Sequence, residues 1–374
     1  MYRLTEEEQQ WISKIWDKID LKMEETVKRN CGKIPYFARN GIFDDKFSVD
    51  PCWWTNGFWA GMMWLLYMCN KKNIYMEEAV KSEEKLDKAF YEYYGLHHDV
   101  GFMWKLSAGA QYELTGNETS KKRCLIAANI LASRFNVNGG FIQAWNGKEH
   151  SGVSIIDSMM NLPLLYWASR ESEDDRYKYV AIKHANKTIE THIREDFSVN
   201  HIVKYNYENG EVTDTLGGQG YSKGSSWSRG QAWAIYGFIL SYIHTGDKKY
   251  LDISKKCADY FISCVKDDWL PRSDFRAPAE PIVYDSSAGA CAVSGFIELA
   301  KVLNDDEGKK YIDAAMNILR AMEKNFCNWD PEYDSILQYA SEAYAGTRDI
   351  SLIYGDYFFV EAIGKLKGNE ILLW

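Results

Sequence analysis

Residues 228–265 read SRGQAWAIYGFILSYIHTGDKKYLDISKKCADYFISCV, and this stretch decides the fold of the chain. Its first part, Ser228 to Thr245, is mostly apolar, whereas Lys248 to Val265 mixes apolar and charged residues with the period of a helix. Gly246 and Asp247 between them are typical of the end of one helix and the start of the next. The stretch therefore predicts an antiparallel hairpin in which an apolar helix is followed by an amphipathic one.

Similar turns recur along the chain, at Thr115-Gly-Asn-Glu118, at Glu173-Asp-Asp-Arg-Tyr177 and at Asn304-Asp-Asp-Glu-Gly-Lys-Lys-Tyr311. Their uneven spacing, roughly 55 to 75 residues, disfavours a short-period solenoid and leaves room for long loops between hairpins. Six hairpins closing in a ring would bury the apolar helices around a central cavity. Loops rich in glycine and aromatic residues would then converge at one end of the ring, with the acidic turns at the other.

Helical periodicity dominates the rest of the sequence and predicts about twelve helices. They are Glu7 to Arg29, Asn56 to Cys69, Met76 to Tyr94, Ser107 to Leu114, Ser120 to Phe135, Asp157 to Arg170, Asp175 to His192, Ser228 to Thr245, Lys248 to Val265, Asp285 to Leu303, Gly308 to Asn325 and Leu352 to Leu366. Strand-like alternation from His201 to Tyr207, before Gly210, predicts a β-hairpin.

Composition limits the class of protein. With 374 residues, 46% of them hydrophobic and only 7 prolines, the chain is expected to form one large domain over residues 1–374. The eight cysteines are scattered without a Cys-x-x-Cys pair, which predicts reduced thiols and neither a disulfide framework nor a zinc site. Without an apolar signal core or a run of membrane-spanning length, a soluble cytoplasmic protein is expected.

The net charge of −9 argues against nucleic-acid partners and anionic membranes, because no strong basic surface is available to neutralise phosphates. A small anionic substrate would need a local cation, and Arg229 in a tryptophan-rich segment is the candidate. Its alternative role is an internal salt bridge or packing against tryptophan.

Two unusual carboxylates suggest an enzyme active site. Asp157 lies inside the apolar run from Gly152 to Leu165, where burial should raise its pKa, and it is the leading candidate for a general acid. Capping of a helix N-terminus is the alternative role of Asp157. Asp99 follows His97 and His98, and these three residues could also form a hydrogen-bonded loop cluster or a metal site. Metal is the weakest option, because adjacent histidines lack the spacing that places two imidazoles on one helix face.

The 14 Trp, 25 Tyr and 16 Phe are the distinctive feature of the composition. Tryptophans cluster beside glycines and polar residues in the segments 52–59 and 226–233. Sugar rings present apolar C–H faces, so flat aromatic walls with hydrogen-bonding neighbours suit a carbohydrate pocket. Core packing is the alternative role for most of these rings.

Seven segments together resemble glycoside hydrolase family 88, the unsaturated glucuronyl hydrolases, in order and spacing nearly from end to end. They are Trp54-Thr-Asn-Gly-Phe-Trp-Ala-Gly61, His97-His-Asp-Val-Gly-Phe102, Gly140-Phe-Ile-Gln-Ala-Trp145, Ile156-Asp-Ser-Met-Met-Asn-Leu-Pro-Leu-Leu165, Ser226-Trp-Ser-Arg-Gly-Gln-Ala-Trp233, Asp285-Ser-Ser-Ala288 and Tyr354-Gly-Asp-Tyr357. The resemblance implies an all-α fold, an (α/α)6 barrel of about six helical hairpins with long loops at the active-site end.

The resemblance also implies an activity. Family members act on the unsaturated uronic acid that polysaccharide lyases leave at the nonreducing end of glycosaminoglycan oligosaccharides. Carried over by motif, Asp157 is the general acid and base, Asp99 is the supporting carboxylate, and no metal or cofactor is expected. The implied substrate-binding residues are Trp54, His98, Trp145, His201, Gln219, Trp227, Arg229 and Trp233.

One departure concerns substrate choice. Some family members carry a Ser-x-x-Ser-x-Lys motif that binds substrate sulfate, whereas this chain has Ser341-Glu-Ala-Tyr344-Ala-Gly346, without the second Ser and the Lys. Strong dependence on 6-sulfation is therefore not expected, although nearby Arg348 could compensate. The alternatives are an unsaturated rhamnogalacturonyl hydrolase acting on pectin fragments, a ring-type sugar epimerase, and a carbohydrate-binding protein without activity. The sequence does not predict the oligomeric state.

Overall fold

The computed structural model describes residues 4–374, so residues 1–3 of the predicted domain lie outside the described part. Its α-helices, in chain order, are α1 (Glu6–Asn30), α2 (Lys46–Val49), α3 (Phe58–Asn70), α4 (Asn73–Glu92), α5 (Val100–Trp104), α6 (Ala110–Thr115), α7 (Glu118–Ser133), α8 (Leu162–Ser172), α9 (Asp175–Thr191), α10 (Ser228–Thr245), α11 (Lys248–Val265), α12 (Ser286–Val302), α13 (Asp305–Asn325) and α14 (Ile353–Leu366). A π-helical segment, Lys105–Gly109, joins α5 to α6. Within residues 4–374, three 3-10 helices span Tyr93–Gly95, Lys148–His150 and Ile156–Met160.

Six helical hairpins close into a ring. The inner helices are α3, the α5–α6 stretch, α8, α10, α12 and α14, and each contacts the next, with α14 returning to α3. Five outer helices, α4, α7, α9, α11 and α13, directly follow their inner partners, whereas α1 pairs with α14 from the other end of the chain. The predicted all-α fold, an (α/α)6 barrel, is confirmed, and α10 and α11 have the predicted bounds.

Burial distinguishes the inner from the outer helices. Every residue of α12 from Ser286 to Ala300 is buried, whereas α13 buries one stripe and exposes the other. This difference follows from the sequence pattern, because an inner helix is covered on all sides and an outer helix only on one. The turns before α7, α9, α11 and α13 each end in a residue that caps the next helix: its side chain accepts a hydrogen bond from a backbone N–H in the first turn of that helix. These capping residues are Asn117, Asp174, Asp247 and Asn304.

The strands are short and lie in the loops between hairpins. They are β1 (Phe37–Arg39), β2 (Ile42–Phe43), β3 (Phe135–Asn136), β4 (Phe141–Ile142), β5 (Val153–Ile155), β6 (Ile202–Tyr205), β7 (Val212–Leu216) and β8 (Ser351–Leu352). In the described part of the chain they form three antiparallel sheets, of order β2-β1-β8, β3-β4 and β5-β6-β7. The predicted hairpin between residues 201 and 210 corresponds to β6 and its turn into β7.

Aromatic side chains fill the centre of the barrel. Trp374 packs parallel to Phe358 with ring centroids 5.9 Å apart, and its indole N–H donates to the buried carboxylate of Glu361 at 2.7 Å. One hydrophobic cluster includes residues from all six hairpins. All eight cysteines are free thiols, as predicted. Within residues 4–374 no helix has the length and apolar character that crossing a membrane requires.

Candidate active site

The register of the β5–β6 pair brings Asp157 to His201. Ile155 pairs with Ile202, and the amide of Ile156 donates to the carbonyl of His201 at 3.1 Å. Asp157 comes two residues after the end of β5, and His201 comes one residue before β6. The antiparallel pairing therefore holds the carboxylate and the imidazole together, with Asp157 Oδ1 3.4 Å from His201 Nε2.

Asp157 does not cap a helix. It lies within the 3-10 helix Ile156–Met160, before α8, and its side chain makes no capping hydrogen bond. The side chain is buried, with 8% of the residue exposed, and Oδ1 has no hydrogen-bond partner among the described residues. The helix predicted from Asp157 to Arg170 is present, but its first residues form the 3-10 helix Ile156–Met160 and the α-helix itself, α8, begins at Leu162. A buried carboxylate oxygen without a fixed partner can exchange a proton with a bound molecule.

Asp99 occupies the position before α5, 7% exposed. Its Oδ2 lies 3.2 Å from Nε2 of His98, and Nδ1 of His98 lies 2.8 Å from the hydroxyl of Ser158. Burial raises the pKa of Asp99, but His98, His97 and Asn161 together outweigh burial, so the pKa lies below its ordinary value. Asp99 is therefore ionised at neutral pH.

Asn161 joins the two carboxylate segments, and the sequence reasoning missed it. Its side-chain amide donates to Asp99 Oδ1 at 3.0 Å and to the carbonyl of Asp157 at 3.2 Å, while its Oδ1 accepts from the amide of Phe102 at 2.9 Å. A signal was present, since a polar residue four positions after Asp157 in an apolar run lies on the same helix face.

His201 is held on two further sides. The indole of Trp227 lies beside it, with ring centroids 4.3 Å apart, and the backbone N–H of Gln219 donates to its Nδ1 at 3.0 Å. The side chain of Gln219 donates to the carbonyl of Glu342 at 2.6 Å. Of the predicted binding residues, Gln219 thus contacts the site through its backbone, and its side-chain N–H is already engaged.

Arg229 is engaged within the protein. It is 1% exposed, forms an ion pair with Asp285, and donates to the carbonyls of Ser341 and Glu342 at 2.8 and 2.7 Å. Its guanidinium also lies over the ring of Trp227, 4.6 Å from the centroid. The alternative role predicted for Arg229, an internal salt bridge with packing against tryptophan, is what the structure shows. A substrate contact for this residue stays a prediction.

The three remaining tryptophans differ in exposure. Trp54 is partly exposed and lies 5.0 Å from the ring of Tyr354, and Trp145 is partly exposed and 6.5 Å from His98. Trp233 has no exposed surface and packs against Phe102 at 5.4 Å. Trp54 and Trp145 therefore have ring surface available for a sugar. Trp233 lies in the barrel core, and its substrate contact stays a prediction.

His97, His98 and Asp99 offer ligand atoms within 4.8 Å of one another, the arrangement that a metal ion would require. Burial lowers the pKa of His97 to about 4, so its imidazole is neutral at physiological pH. The same three residues lie together in the loop, with Asp99 Oδ2 3.5 Å from Nδ1 of His97 and 3.2 Å from Nε2 of His98, but neither nitrogen makes a hydrogen bond within the described residues, so the hydrogen bonds of the predicted loop cluster stay a prediction.

A separate cavity of about 520 Å³ is lined by Tyr166, Arg170, Lys178 and His244. These residues lie near the turns that connect inner to outer helices, away from the strands and loops that carry Asp157. The cavity is not part of the candidate active site.

Comparison with known proteins identifies relatives over most of the chain. The unsaturated glucuronyl hydrolase of Bacillus sp. strain GL1 is 36% identical over 331 residues, covering 86% of this chain and 88% of the relative. The unsaturated chondroitin disaccharide hydrolase of Streptococcus pyogenes serotype M1 is 35% identical, covering 86% and 83%. No family model matches the chain.

Solved structures agree with this relationship. An unsaturated glucuronyl hydrolase from Streptococcus agalactiae superposes with a TM-score of 0.90 at 30% identity, covering 100% of this chain and 95% of that one. A mutant of the Streptococcus agalactiae enzyme complexed with dGlcA-GalNAc6S superposes with a TM-score of 0.84 at 27% identity, covering 98% and 94%. The chain belongs to the unsaturated glucuronyl hydrolases, glycoside hydrolase family 88.

Proposed function

We propose that this enzyme removes the 4,5-unsaturated uronic acid from the nonreducing end of glycosaminoglycan disaccharides and oligosaccharides that lyases produce. The observation that carries the proposal is the buried pair of carboxylates, Asp157 and Asp99, whose segments Asn161 joins beside the partly exposed rings of Trp54 and Trp145. The relatives are named for this activity, and one solved relative holds an unsaturated disaccharide. Residues 1–374 form a single catalytic domain in this proposal.

Asp157 acts as general acid and then as general base. The substrate contains an enol ether, so a proton delivered from Asp157 to carbon 4 creates an oxocarbenium-like centre at carbon 5. Water attacks carbon 5, and the ionised Asp157 takes a proton from that water. The resulting hemiketal opens to a ketone at carbon 5, and the hemiacetal left at carbon 1 collapses to an aldehyde and releases the partner sugar. Cleavage follows hydration, so no covalent glycosyl intermediate is required.

Asp99 supports this chemistry as an anion. Its low pKa keeps it ionised, and its hydrogen bond with Asn161 ties it to the backbone of Asp157. Asp99 and His98 thereby orient the substrate and the segment that carries the acid. The rule that relates carboxylate separation to stereochemistry does not apply, because the carboxylates do not act across the glycosidic bond.

Aromatic rings and polar groups around the two carboxylates bind the sugar. Trp54 and Trp145 stack against its C–H faces, and His201, Trp227 and the loop at Gln219 form the wall beside Asp157. Arg229 and Trp233 are the remaining residues of the predicted binding set. Arg229 holds that wall in place through the carbonyl of Glu342, and Trp233 packs against Phe102 in the barrel core.

Unsulfated chondroitin or hyaluronan disaccharides are the preferred substrates in this proposal. Glu342, in the segment that lacks the sulfate motif, presents a carboxylate that accepts a hydrogen bond from Tyr36. Arg348, the cation nearest to it in sequence, lies over the ring of Tyr344 at 5.0 Å. An acidic side chain in this position disfavours a sulfated second sugar by charge repulsion.

The activity is tested with a panel of lyase-generated disaccharides, sulfated and unsulfated. The unsaturated bond absorbs in the ultraviolet, so we expect absorbance to fall, two sugars to be released, and the rate to be highest on unsulfated substrates. Intact absorbance with measurable binding would indicate a carbohydrate-binding protein, and activity only on pectin fragments would indicate a rhamnogalacturonyl hydrolase. A chelator is expected to leave the rate unchanged, since the proposed mechanism uses no metal or cofactor.

The roles of the two carboxylates are tested by Asp157→Asn and Asp99→Asn. Asp157→Asn should lower kcat by about 10²- to 10⁴-fold, the usual contribution of a positioned general acid. In heavy water, the wild-type product should carry deuterium at carbon 4. Near-normal turnover of Asp157→Asn together with loss of activity in Asp99→Asn would reverse the assignment.

We also propose a cytoplasmic location and small saccharides as the only partners, without nucleic acid or membrane. The net charge of −9 supports the exclusion of polyanionic partners.

A further inference from the structure

The loop at residues 217–220 determines which nitrogen of His201 carries a proton. The backbone N–H of Gln219 points at Nδ1 of His201 at 3.0 Å. A backbone amide can only donate, so Nδ1 must be the unprotonated acceptor. An imidazolium is excluded by the same contact, because it would place two donors against each other. The remaining proton of the ring therefore sits on Nε2.

That Nε2–H faces the proposed catalytic acid. Nε2 lies 3.4 Å from Oδ1 of Asp157, and neither atom makes a hydrogen bond, with the other or with any further described residue. In this tautomer the ring presents a donor to the carboxylate. In the other tautomer, Nε2 of His201 would present a lone pair to the carboxylate, and the ionised Asp157 would have no N–H facing it. The choice of tautomer thus decides whether His201 supports or opposes the charge on Asp157.

The loop can reach His201 only because it contains glycine. Gly218 has φ +58°, and a Cβ at this position would lie 2.0 Å from Nδ1 of His201 and 2.7 Å from Cε1. Any side chain at residue 218 would thus push the ring and the amide apart. Gln219 is also held through its carbonyl, which accepts a hydrogen bond from the amide of Tyr344 at 2.8 Å.

We propose that Gly218 and the backbone amide of Gln219 are positioning residues that fix the Nε2–H tautomer of His201, so that this imidazole faces the carboxylate of Asp157 with its N–H. The inference rests on the proposed role of Asp157 as general acid and base. It assigns His201 a task beyond sugar binding: the ring orients the carboxylate and stabilises its ionised form between the two proton transfers.

The tautomer is measured directly on the wild-type enzyme by long-range proton–nitrogen NMR with ¹⁵N-labelled histidine, and His201 is identified by the signal lost in His201→Gln. We expect an unprotonated Nδ1 and a protonated Nε2. A protonated Nδ1 in the wild type would overturn the inference while leaving the function of Asp157 intact. This measurement needs no variant of the loop and remains informative if such a variant fails to fold.

Gly218→Ala tests the consequence, with Gly224→Ala as the matched control. Gly224 has φ +79° in the same loop region, but no atom lies within 4 Å of its Cβ position, so its substitution brings similar backbone strain without the contact. Gly218→Ala should change the His201 signals and lower kcat by about 10- to 100-fold, as expected for a misplaced catalytic group. The control should keep the wild-type tautomer and kcat. Unchanged kcat in Gly218→Ala, or reduced kcat with unchanged His201 signals, would contradict the proposal.

Discussion

At the scale of single residues, Arg229 is a buried cation with several protein partners beside the site. Burial by itself lowers the pKa of Arg229, but Asp285 and other neighbours raise it by more, so the pKa lies above its ordinary value. The guanidinium is therefore charged although it is buried. The ion pair with Asp285, two backbone carbonyls and the ring of Trp227 surround it. A buried cation with this many protein partners is part of the scaffold that holds the Ser341–Glu342 segment against the site.

Substitution of Arg229 should therefore affect stability first. Arg229→Leu leaves the carboxylate of Asp285 buried without its cation, and we expect the free energy of unfolding to fall by about 3–5 kcal/mol. Urea denaturation followed by circular dichroism measures this change. The double variant Arg229→Leu with Asp285→Leu should recover part of the loss, because it buries no unpaired charge. A raised KM with unchanged stability in Arg229→Leu would instead identify a direct substrate contact.

At the scale of elements, the 3-10 helix Ile156–Met160 depends on a glycine in α10. A Cβ on Gly237 would lie 2.5 Å from the Cβ of Met159, and 3.1 Å from its carbonyl oxygen. The glycine lets α10 approach the segment that carries Asp157. The position of the acid along the barrel wall is thus set by close contact between two elements.

Gly237→Ala tests this contact. Overpacking should cost about 1–3 kcal/mol of stability and displace the segment, so kcat should fall as well. The control is Gly364→Ala in α14, where the nearest atom, Cζ3 of Trp16, would be 3.4 Å from the new Cβ, an ordinary contact. That variant should be neutral or more stable by up to about 1 kcal/mol, because alanine favours a helix. Equal stability of the two variants in thermal unfolding would contradict the role given to Gly237.

Most elements could be predicted because each hairpin repeats the same contrast of apolar and amphipathic helices. The bounds of α10 and α11 follow from Gly246 and Asp247, which end one helix and cap the next. The second inner helical stretch begins at Val100, seven residues before the predicted Ser107, because the predicted stretch is only the end of a helix that includes a π-helical segment. Such a change of helix type depends on packing against neighbours and leaves no period in the sequence.

The site could be predicted less completely than the fold. Asp157, Asp99 and the tryptophan segments stand out because charges and glycines interrupt apolar runs. The ion pair of Arg229 with Asp285 and the hydrogen bond of Asn161 to Asp99 join residues more than 50 positions apart, so local patterns do not identify these partners. The loop at Gln219 is a further case, because its contact with His201 is made by a backbone amide, which no side-chain pattern identifies.

At the scale of the whole molecule, buried neutral histidines couple stability to pH. Burial lowers the pKa of His97 and His192 to about 4 and that of His184 and His244 to about 3. In the unfolded chain these groups take up protons below pH about 6.5, so their contribution to stability is complete above that pH and is lost as pH falls toward 4. Asp356, whose pKa burial raises to about 7, acts in the opposite direction, as do Asp44, Glu83 and Asp285, whose pKa values burial also raises. Asp99 and Glu298, whose neighbours lower their pKa values, lose stabilisation with the histidines as the pH falls.

We therefore expect the midpoint of thermal unfolding to fall as the pH is lowered from about 6.5 to about 4. His184→Asn should make this dependence shallower, because it removes one titrating group and keeps an acceptor for the amide of Ile142, which donates to Nδ1 at 3.0 Å. Differential scanning calorimetry across this range measures both. A midpoint independent of pH would show that these rings do not remain neutral when folded.

The pairing of α1 with α14 joins two helices that lie far apart in the sequence. Trp16 of α1 packs at Gly364 of α14, so the ring closes only when these two distant segments meet. Until they meet, the apolar stripe of α1 stays uncovered, and such surfaces recruit chaperones or aggregate. A chain cut before Ile353 should therefore be recovered in the insoluble fraction.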